Sequence, residues 1–393
     1  MPRGHRTPQW AAAFCFAFCI SAAFAQSPAP ETPPQELAME NGTHEFVPSK
    51  AVDFEPVETD PSFALPPITN DYPHCLSDGS LVIRSTDWDA VKSTPKGKFP
   101  KYNEIVTIVR GKETQTILST GISDLTDFLV VDGFPADAGV YLLLEGTKER
   151  PGQPGTGKSP SGIPLKEYGS YVARFDLDGD YKGATKLGVE CDLTRPGYCE
   201  IRHLAVFPSG DMLVTEYDPA ASTLKLLYLK SSGEVVKQIE VPASRKNIEW
   251  GDASSNSDIQ RPAKTFLASV FFTAVGNNIV VWRANVNEPV VEVRQGGGVR
   301  EVPLQIPQGW RFADMVASND RWVVHLRSEN TPPIARMSED TDSYYEMRPQ
   351  DGSLSAKIVQ KGDTPLSIAC ESSGAYTSFK MNDAGKMVLL NGK

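Results

Sequence analysis

The chain has 393 residues, 40% of them hydrophobic and 22% charged, with 39 basic and 49 acidic side chains. That acid excess argues against nucleic acid and anionic membrane as partners, since both are bound through a basic face that displaces counterions. It suits an exported protein kept in solution by its charge.

Arg3 and Arg6 precede an uncharged stretch from Trp10 to Phe24 and the small-x-small triplet Ala23-Phe24-Ala25. This is the pattern of a secretory signal peptide, residues 1–25, cut before Gln26. The apolar stretch, about 15 residues, is shorter than the roughly 20 that a membrane-spanning helix needs. Cys19 follows Phe18, where a lipoprotein signal requires a small residue, and the best later run, Phe266 to Val275, is interrupted by Ser269 and Thr273. No membrane span is expected, and the mature protein is predicted to be secreted or periplasmic. Cleavage removes two arginines and no acid, leaving 37 basic against 49 acidic side chains and a charge of −12 with histidines neutral.

Residues 26–70 form an acidic, proline-rich lead, with Pro28, Pro30, Pro33 and Pro34 opening it and Pro56, Pro61, Pro66 and Pro67 closing it. Such composition predicts an extended, partly disordered segment. Within it, Asn41-Gly42-Thr43 is a glycosylation acceptor in a host that glycosylates. The strand pattern is continuous from Asp71 onward, so one domain is expected over 71–393.

Six tight turns recur along that domain, about 44 to 71 residues apart: Asp78-Gly79, Asp137-Ala138-Gly139, Ser209-Gly210, Gly276-Asn277-Asn278, Asn319-Asp320 and Asp383-Ala384-Gly385. The flanking runs, such as Val140 to Glu145, Met212 to Tyr217 and Ile279 to Arg283, are short and rich in Val, Ile, Tyr and Trp, which reads as strand. A second set of hairpins lies between them, turning at Gly111, Asp178-Gly179, Ser232-Gly233, Gly296-Gly297-Gly298 and Asp351-Gly352. Glycine tolerates the positive φ such turns need. Two hairpins per period make a four-stranded antiparallel unit, and repetition at this spacing predicts an all-β, six-bladed β-propeller.

Six inner hairpins stand against five outer ones, because the chain stops at Lys393, about eight residues beyond Gly385. The ring therefore closes only if strands from elsewhere complete the last blade, and the lead offers His44 to Phe46 and Ala51 to Glu55. Pro48 and Pro56 suit an edge strand. Failing those strands, the sixth blade stays two-stranded.

Four cysteines outlast cleavage, Cys75, Cys191, Cys199 and Cys370, and an even number in an exported chain predicts two disulfides with three possible pairings. Cys191 and Cys199 flank a bend-prone segment, Asp192 to Tyr198. Cys75 lies beside the first repeated turn and Cys370 just before the last, so a bond between them would rivet the seam of the ring. In the chain-entropy model the short loop contributes about 2.6 kcal/mol and the long one about 5 to 6. Metal ligation is the alternative, although no pair has the C-x-x-C spacing.

Phe207-Pro-Ser-Gly-Asp-Met-Leu-Val and Phe134-Pro-Ala-Asp-Ala-Gly-Val-Tyr, each followed by an outer hairpin such as Phe175-Asp-Leu-Asp-Gly-Asp or Leu229-Lys-Ser-Ser-Gly-Glu, resemble the six-bladed propeller superfamily of NHL-repeat and TolB-like proteins. The likeness runs from about Asp71 onward and consists of generic blade features. It implies architecture; members of that superfamily range from binding scaffolds to lactonases and lyases, and none of their catalytic signatures maps onto this chain. WD40 proteins fit less well, since Trp88-Asp89 occurs once and does not recur at the blade period.

Gly152 to Ser159 has the spacing of a phosphate-binding loop, but Pro160, Gly162 and Pro164 forbid the helix whose free N–H groups would hold the phosphates. Asp176, Asp178 and Asp180 resemble the start of a calcium loop without its later glutamate, and fit an outer hairpin without any metal. A second acidic cluster, Glu339, Asp340 and Asp342, is expected to cap a solvated insertion. His74 and His203 precede inner turns on strands that would line the central channel, and His325 lies beyond its turn on the next strand. Packed or rim histidines are the expectation, a shared metal site the rival. No G-x-S-x-G or H-E-x-x-H occurs, and Ser93-Thr-Pro-Lys96 sits in a Pro/Gly/Lys-rich loop rather than at a helix start.

No catalytic residue, cofactor or metal site is assigned from these patterns. The leading expectation is an exported, non-catalytic, monomeric binding or scaffold protein for an unknown protein or small-molecule ligand, with the insertions Lys148 to Tyr168 and Ala243 to Thr265 as recognition surface. A metal-assisted hydrolase, lactonase or lyase using channel carboxylates and His74 or His203 is one alternative. A structural envelope or matrix component is another.

Overall fold

In the computed structural model of the chain the described residues are 33–57, 73–87, 92–93, 103–111, 113–125, 127–149, 166–189, 200–218, 223–240, 270–284, 286–318, 321–331, 337–338, 340–360, 367–381 and 387–392. Four short strands come first: β1 (Gln35–Ala38), β2 (His44–Val47), β3 (Ser49–Val52) and β4 (Phe54–Pro56). The first blade follows as β5 (His74–Cys75), β6 (Leu81–Thr86), β7 (Glu104–Arg110) and β8 (Glu113–Leu118), and the second as β9 (Asp127–Ala136), β10 (Gly139–Glu149), β11 (Lys166–Phe175) and β12 (Tyr181–Lys186). The third holds β13 (Glu200–Val206), β14 (Met212–Asp218), β15 (Thr223–Leu229) and β16 (Val235–Glu240). The fourth holds β17 (Val270–Val275), β18 (Asn278–Arg283), β19 (Val290–Arg294) and β20 (Val299–Val302). In the fifth are β21 (Trp310–Ala317), β22 (Trp322–Ser328), β23 (Asp342–Met347) and β24 (Leu354–Gln360), and in the sixth β25 (Ser367–Ser372), β26 (Ala375–Met381) and β27 (Met387–Gly392).

The first strand of each blade is innermost. β9 adjoins β13, β13 adjoins β17, β17 adjoins β21, β21 adjoins β25, and β25 adjoins β5. The His74 ring against Phe134 joins β5 to β9 and completes the circuit. Each blade is covered on both faces by its neighbours, which is why runs such as Leu142-Leu143-Leu144 are buried throughout instead of alternating. Each such side chain contributes roughly 1.5–3 kcal/mol through removal from water. The apolar clusters accordingly lie between blades, Ile108 and Leu142 joining the first and second, Leu213 and Phe272 the third and fourth.

The outer turns need glycine for a second reason besides φ. A Cβ on Gly233, in the turn of the third blade, would stand 2.1 Å from the Lys186 carbonyl oxygen of the second; one on Gly352, in the fifth, would stand 1.7 Å from the Pro303 oxygen beyond the fourth. These turns bond to the blade they touch, through Gly188 N–H to Gly233 O at 2.7 Å and Gln305 N–H to Gly352 O at 3.2 Å.

The lead closes the ring, though not in the way the turn count implies. β4 pairs with β27 and supplies the fourth strand of the sixth blade. That blade has three strands of its own, because its inner turn is Ser373-Gly374, between β25 and β26. Asp383-Ala384-Gly385, expected to be that inner turn, lies outside the described residues between the second and third strands, β26 and β27. Of the strands expected in the last blade, β2 instead pairs with β1, and β3 joins the fifth blade in parallel beside β24. Cys75 and Cys370 form a disulfide with Cα atoms 5.3 Å apart, joining innermost strands β5 and β25 across the same seam. Cys191 and Cys199 lie outside the described residues.

The strand order also sorts the connections. Strands one and two of each blade, and three and four of the first five, are joined at one end by tight turns. The other end receives the connections of residues 87–103, 150–165, 187–199, 241–269 and 329–341.

Candidate functional site

Several side chains of the inner wall sit beside β-bulges. Extra residues occur at Val131 in β9, within Arg202-His203 in β13, at Ala313 in β21 and at Ala369 in β25. A bulge re-aims the next side chain, and such kinks concentrate near functional centres. Here three of the residues that follow are Asp132, Asp314 and Cys370.

Asp132 joins three blades. Its Oδ1 lies 3.4 Å from Arg84 Nη2 of the first blade, and its Oδ2 accepts the Leu204 N–H of the third at 2.8 Å. That N–H is freed by the bulge in β13, so a carboxylate from the next blade replaces a missing ladder bond. His203, on the bulge itself, has Nδ1 3.8 Å from Asp132 Oδ2, packs edge-on against Phe272, and donates its own N–H to Thr215 Oγ1 at 3.0 Å. The cluster is partly solvated, with His203 its most exposed member at 21%.

Asp314 opposes His325 across β21 and β22. The His325 ring lies between two acids, Nδ1 3.1 Å from Asp314 Oδ2 and Nε2 2.7 Å from Asp342 Oδ1, and stacks on Tyr344 at 4.7 Å between centroids. Arg327 Nε donates to the same Asp342 oxygen at 2.8 Å. Burial alone would depress the imidazole pKa, but the two carboxylates outweigh it and raise it to about 9. Burial likewise pushes Asp342 up, yet its bonds from His325, Arg327 and Thr341 hold it well below the ordinary carboxylate range. Burial pushes the Tyr344 hydroxyl far above its usual value. At neutral pH His325 is therefore an imidazolium with both N–H groups donating, which leaves it no lone pair for a metal or for a proton.

The three histidines weighed as a shared metal site are thus placed apart. His74 and His203 line the inner wall as expected, on β5 and β13, whereas His325 is buried inside the fifth blade on β22. Among the described residues, no group of three His, Cys, Asp or Glu side chains is arranged to hold a metal ion. Asp176 Oδ1 accepts the N–H groups of Asp178 and Asp180 at 3.1 and 2.8 Å, and its Oδ2 meets Lys182 at 2.6 Å, so that acid shapes its own turn. Asp342, expected on a solvated insertion, is instead buried against His325. Ser93 lies outside the strands, and the segments 94–100, 150–165 and 241–269, which hold Lys96, the phosphate-loop spacing and most of both insertions, lie outside the described residues.

Asp132, Arg84, Asp314 and Arg327 were not singled out by motif. A signal existed for the two acids: Val130-Val131-Asp132-Gly133-Phe134 and Phe312-Ala313-Asp314-Met315-Val316 each place one charge inside an apolar inner strand. Burying a lone carboxylate is costly without a partner, so such an acid implies one.

No protein-family model matches the sequence, and no curated protein is detectably similar to it. Solved structures similar to the chain include the β-propeller domain of the Trilobed protease from Pyrococcus furiosus, at 13% identity, TM-score 0.36 and coverage of 79% of this chain and 78% of that one. The WD40 domain of Neurospora crassa Pan2 is 12% identical at TM-score 0.37, with 86% and 95% covered. Trypanosoma rangeli sialidase is 12% identical at TM-score 0.38, with 92% of this chain and 57% of that one covered. The chain defines itself as a six-bladed β-propeller by its own strand order.

Proposed function

We propose that this chain is an exported, non-catalytic binding scaffold, monomeric, whose working surface is the end of the ring that carries the long connections. The observation that carries this reading is the asymmetry of the ring: tight turns at one end, most of them bearing glycine, and at the other the intervals 150–165 and 241–269 between strands of a rigid frame. The buried polar groups add support, because Asp132 is engaged in tying neighbouring blades together and His325 is engaged within the fifth blade. On this reading residues 1–25 are removed on export, residues 26–70 are a lead, 71–393 are the domain, and Cys191–Cys199 is a second disulfide. Its generic blade features align it with the NHL-repeat and TolB-like branch of six-bladed propellers.

The test is a thermal-shift screen of the purified mature protein against glycans, peptides and small metabolites, run beside a turnover assay on lactones and glycosides with and without chelator. A stabilising ligand whose effect disappears when 151–164 or 243–265 is replaced by a short Gly-Ser linker is expected. Turnover that is lost on chelation would overturn the reading in favour of a metal-assisted enzyme.

A further inference from the structure

The fifth blade has four strands of its own, so β3 is surplus to the architecture. It joins rim strand β24 in parallel, whereas every other pairing among the described strands is antiparallel. The Lys357 N–H donates to the Pro48 carbonyl at 2.8 Å where β3 begins. Lys50 and Val52, two apart and so on one face of the strand, turn toward the junction of the fifth and sixth blades. Lys50 Nζ donates to Glu346 Oε1 at 3.0 Å and to the Tyr376 hydroxyl at 2.9 Å, and stands 4.8 Å from the Tyr376 ring centroid. The Tyr376 hydroxyl and Arg321 Nη1 donate to the same Glu346 oxygen, the latter at 3.2 Å. Val52 is fully buried among Val323, Tyr344, Ile358, Ile368 and Tyr376, while Ala51 between them faces solvent.

A sheet edge that adds a strand takes its affinity from backbone bonds and its selectivity from pockets for alternate side chains. Both halves of that recognition exist here: the edge of β24, a carboxylate–phenol seat for an ammonium group, and an apolar seat two residues on. We propose that the rim of the fifth blade is a strand-acceptor site for an extended segment of a partner protein carrying lysine followed two residues later by a branched apolar residue, and that residues 49–52 are its intramolecular occupant. β2 and β4 flank β3 directly, so displacement draws the β1–β2 hairpin with it, unseating Leu37, Met39 and Val47 from the core of the fourth and fifth blades, and pivots at Asp53, while β4 keeps the sixth blade complete. The site is on the rim and not at the loop-bearing end, so its failure leaves the binding reading above untouched.

The experiment is a fluorescence anisotropy titration of a labelled peptide of residues 44–54 into the full wild-type chain and into Lys50→Ala. The variant, with its own occupant weakened, should bind the peptide at least tenfold tighter than wild type does, and replacing the peptide's lysine by alanine should cost at least tenfold on the same variant. Equal binding of the two peptides, or no binding by a variant whose circular dichroism matches wild type, overturns the proposal. Should Lys50→Ala fail to fold, hydrogen exchange on the wild-type chain decides: millimolar peptide must speed exchange at Ala51 and Val52 and leave β27 unchanged. Unaltered exchange at Ala51 and Val52 overturns it equally.

Discussion

The imidazole of His325 and the carboxylate of Asp342 meet at 2.7 Å inside the fifth blade, where both are almost wholly shielded from water. Asp314 completes the cage on the other ring nitrogen, with Arg327 beside Asp342 and Arg311 close to both. Because the folded imidazole titrates near 9 and a free one near 6.5, its protonation stabilises the fold fully below about pH 6.5, and that stabilisation is lost as pH rises through about 9. The shift corresponds to something on the order of 3 kcal/mol. Urea unfolding across this range should show wild type losing stability between pH 6.5 and 9.5, and His325→Gln, already destabilised, losing much less. Parallel curves for the two would refute the assignment.

Asp132 should matter for stability in a graded way. Asp132→Ala removes one carboxylate from beside Arg84 and leaves the bulge N–H of Leu204 unanswered, a loss of about 3 kcal/mol. Asp132→Asn keeps an acceptor for Leu204 and should cost clearly less. Chemical denaturation of both variants checks the order, and equal losses would mean that the hydrogen bond contributes nothing.

The outer-turn glycines should separate by what lies beside them. Gly352→Ala puts a methyl onto the Pro303 oxygen at positive φ, and should cost about 3 kcal/mol or leave the protein insoluble. Gly296 also has positive φ but meets nothing within 4 Å, so Gly296→Ala should cost only about 1 kcal/mol. Melting temperatures of the pair report the difference directly.

The bond between Cys75 and Cys370 closes a loop of nearly the whole ring. Replacing both by serine should lower stability by about 5 kcal/mol on the chain-entropy model, and the melting temperature by on the order of 10 °C. Differential scanning calorimetry of the double variant, with reductant-treated wild type alongside, measures it; a shift of a degree or less would show that β4 alone secures the seam.

Most of the frame was legible in residue patterns. Glycine-punctuated hairpins located the five outer turns, and the shortage of a sixth pointed to the lead as the closing element. The error at Asp383-Ala384-Gly385 arose because a polar-glycine turn looks alike whether it joins strands one and two or two and three; only the brevity of Ser373-Gly374 hid the true inner turn. Ala51 to Glu55 was legible as strand, but the pairing of β3 with β24 escaped because parallel addition to a finished blade leaves no mark on periodicity. The His325 cage escaped because its members are spread from Asp314 to Asp342, and only the fold of the fifth blade brings them to one point.

β4 and β27 lie more than 300 residues apart, yet each supplies an edge that the other needs. The earlier segment, β4, must therefore wait, unpaired, until β27 has emerged. Contacts over such separation form slowly and leave apolar edges open meanwhile. The waiting time is set by how fast the intervening residues are made, so assembly of this ring is coupled to the rate of its own synthesis.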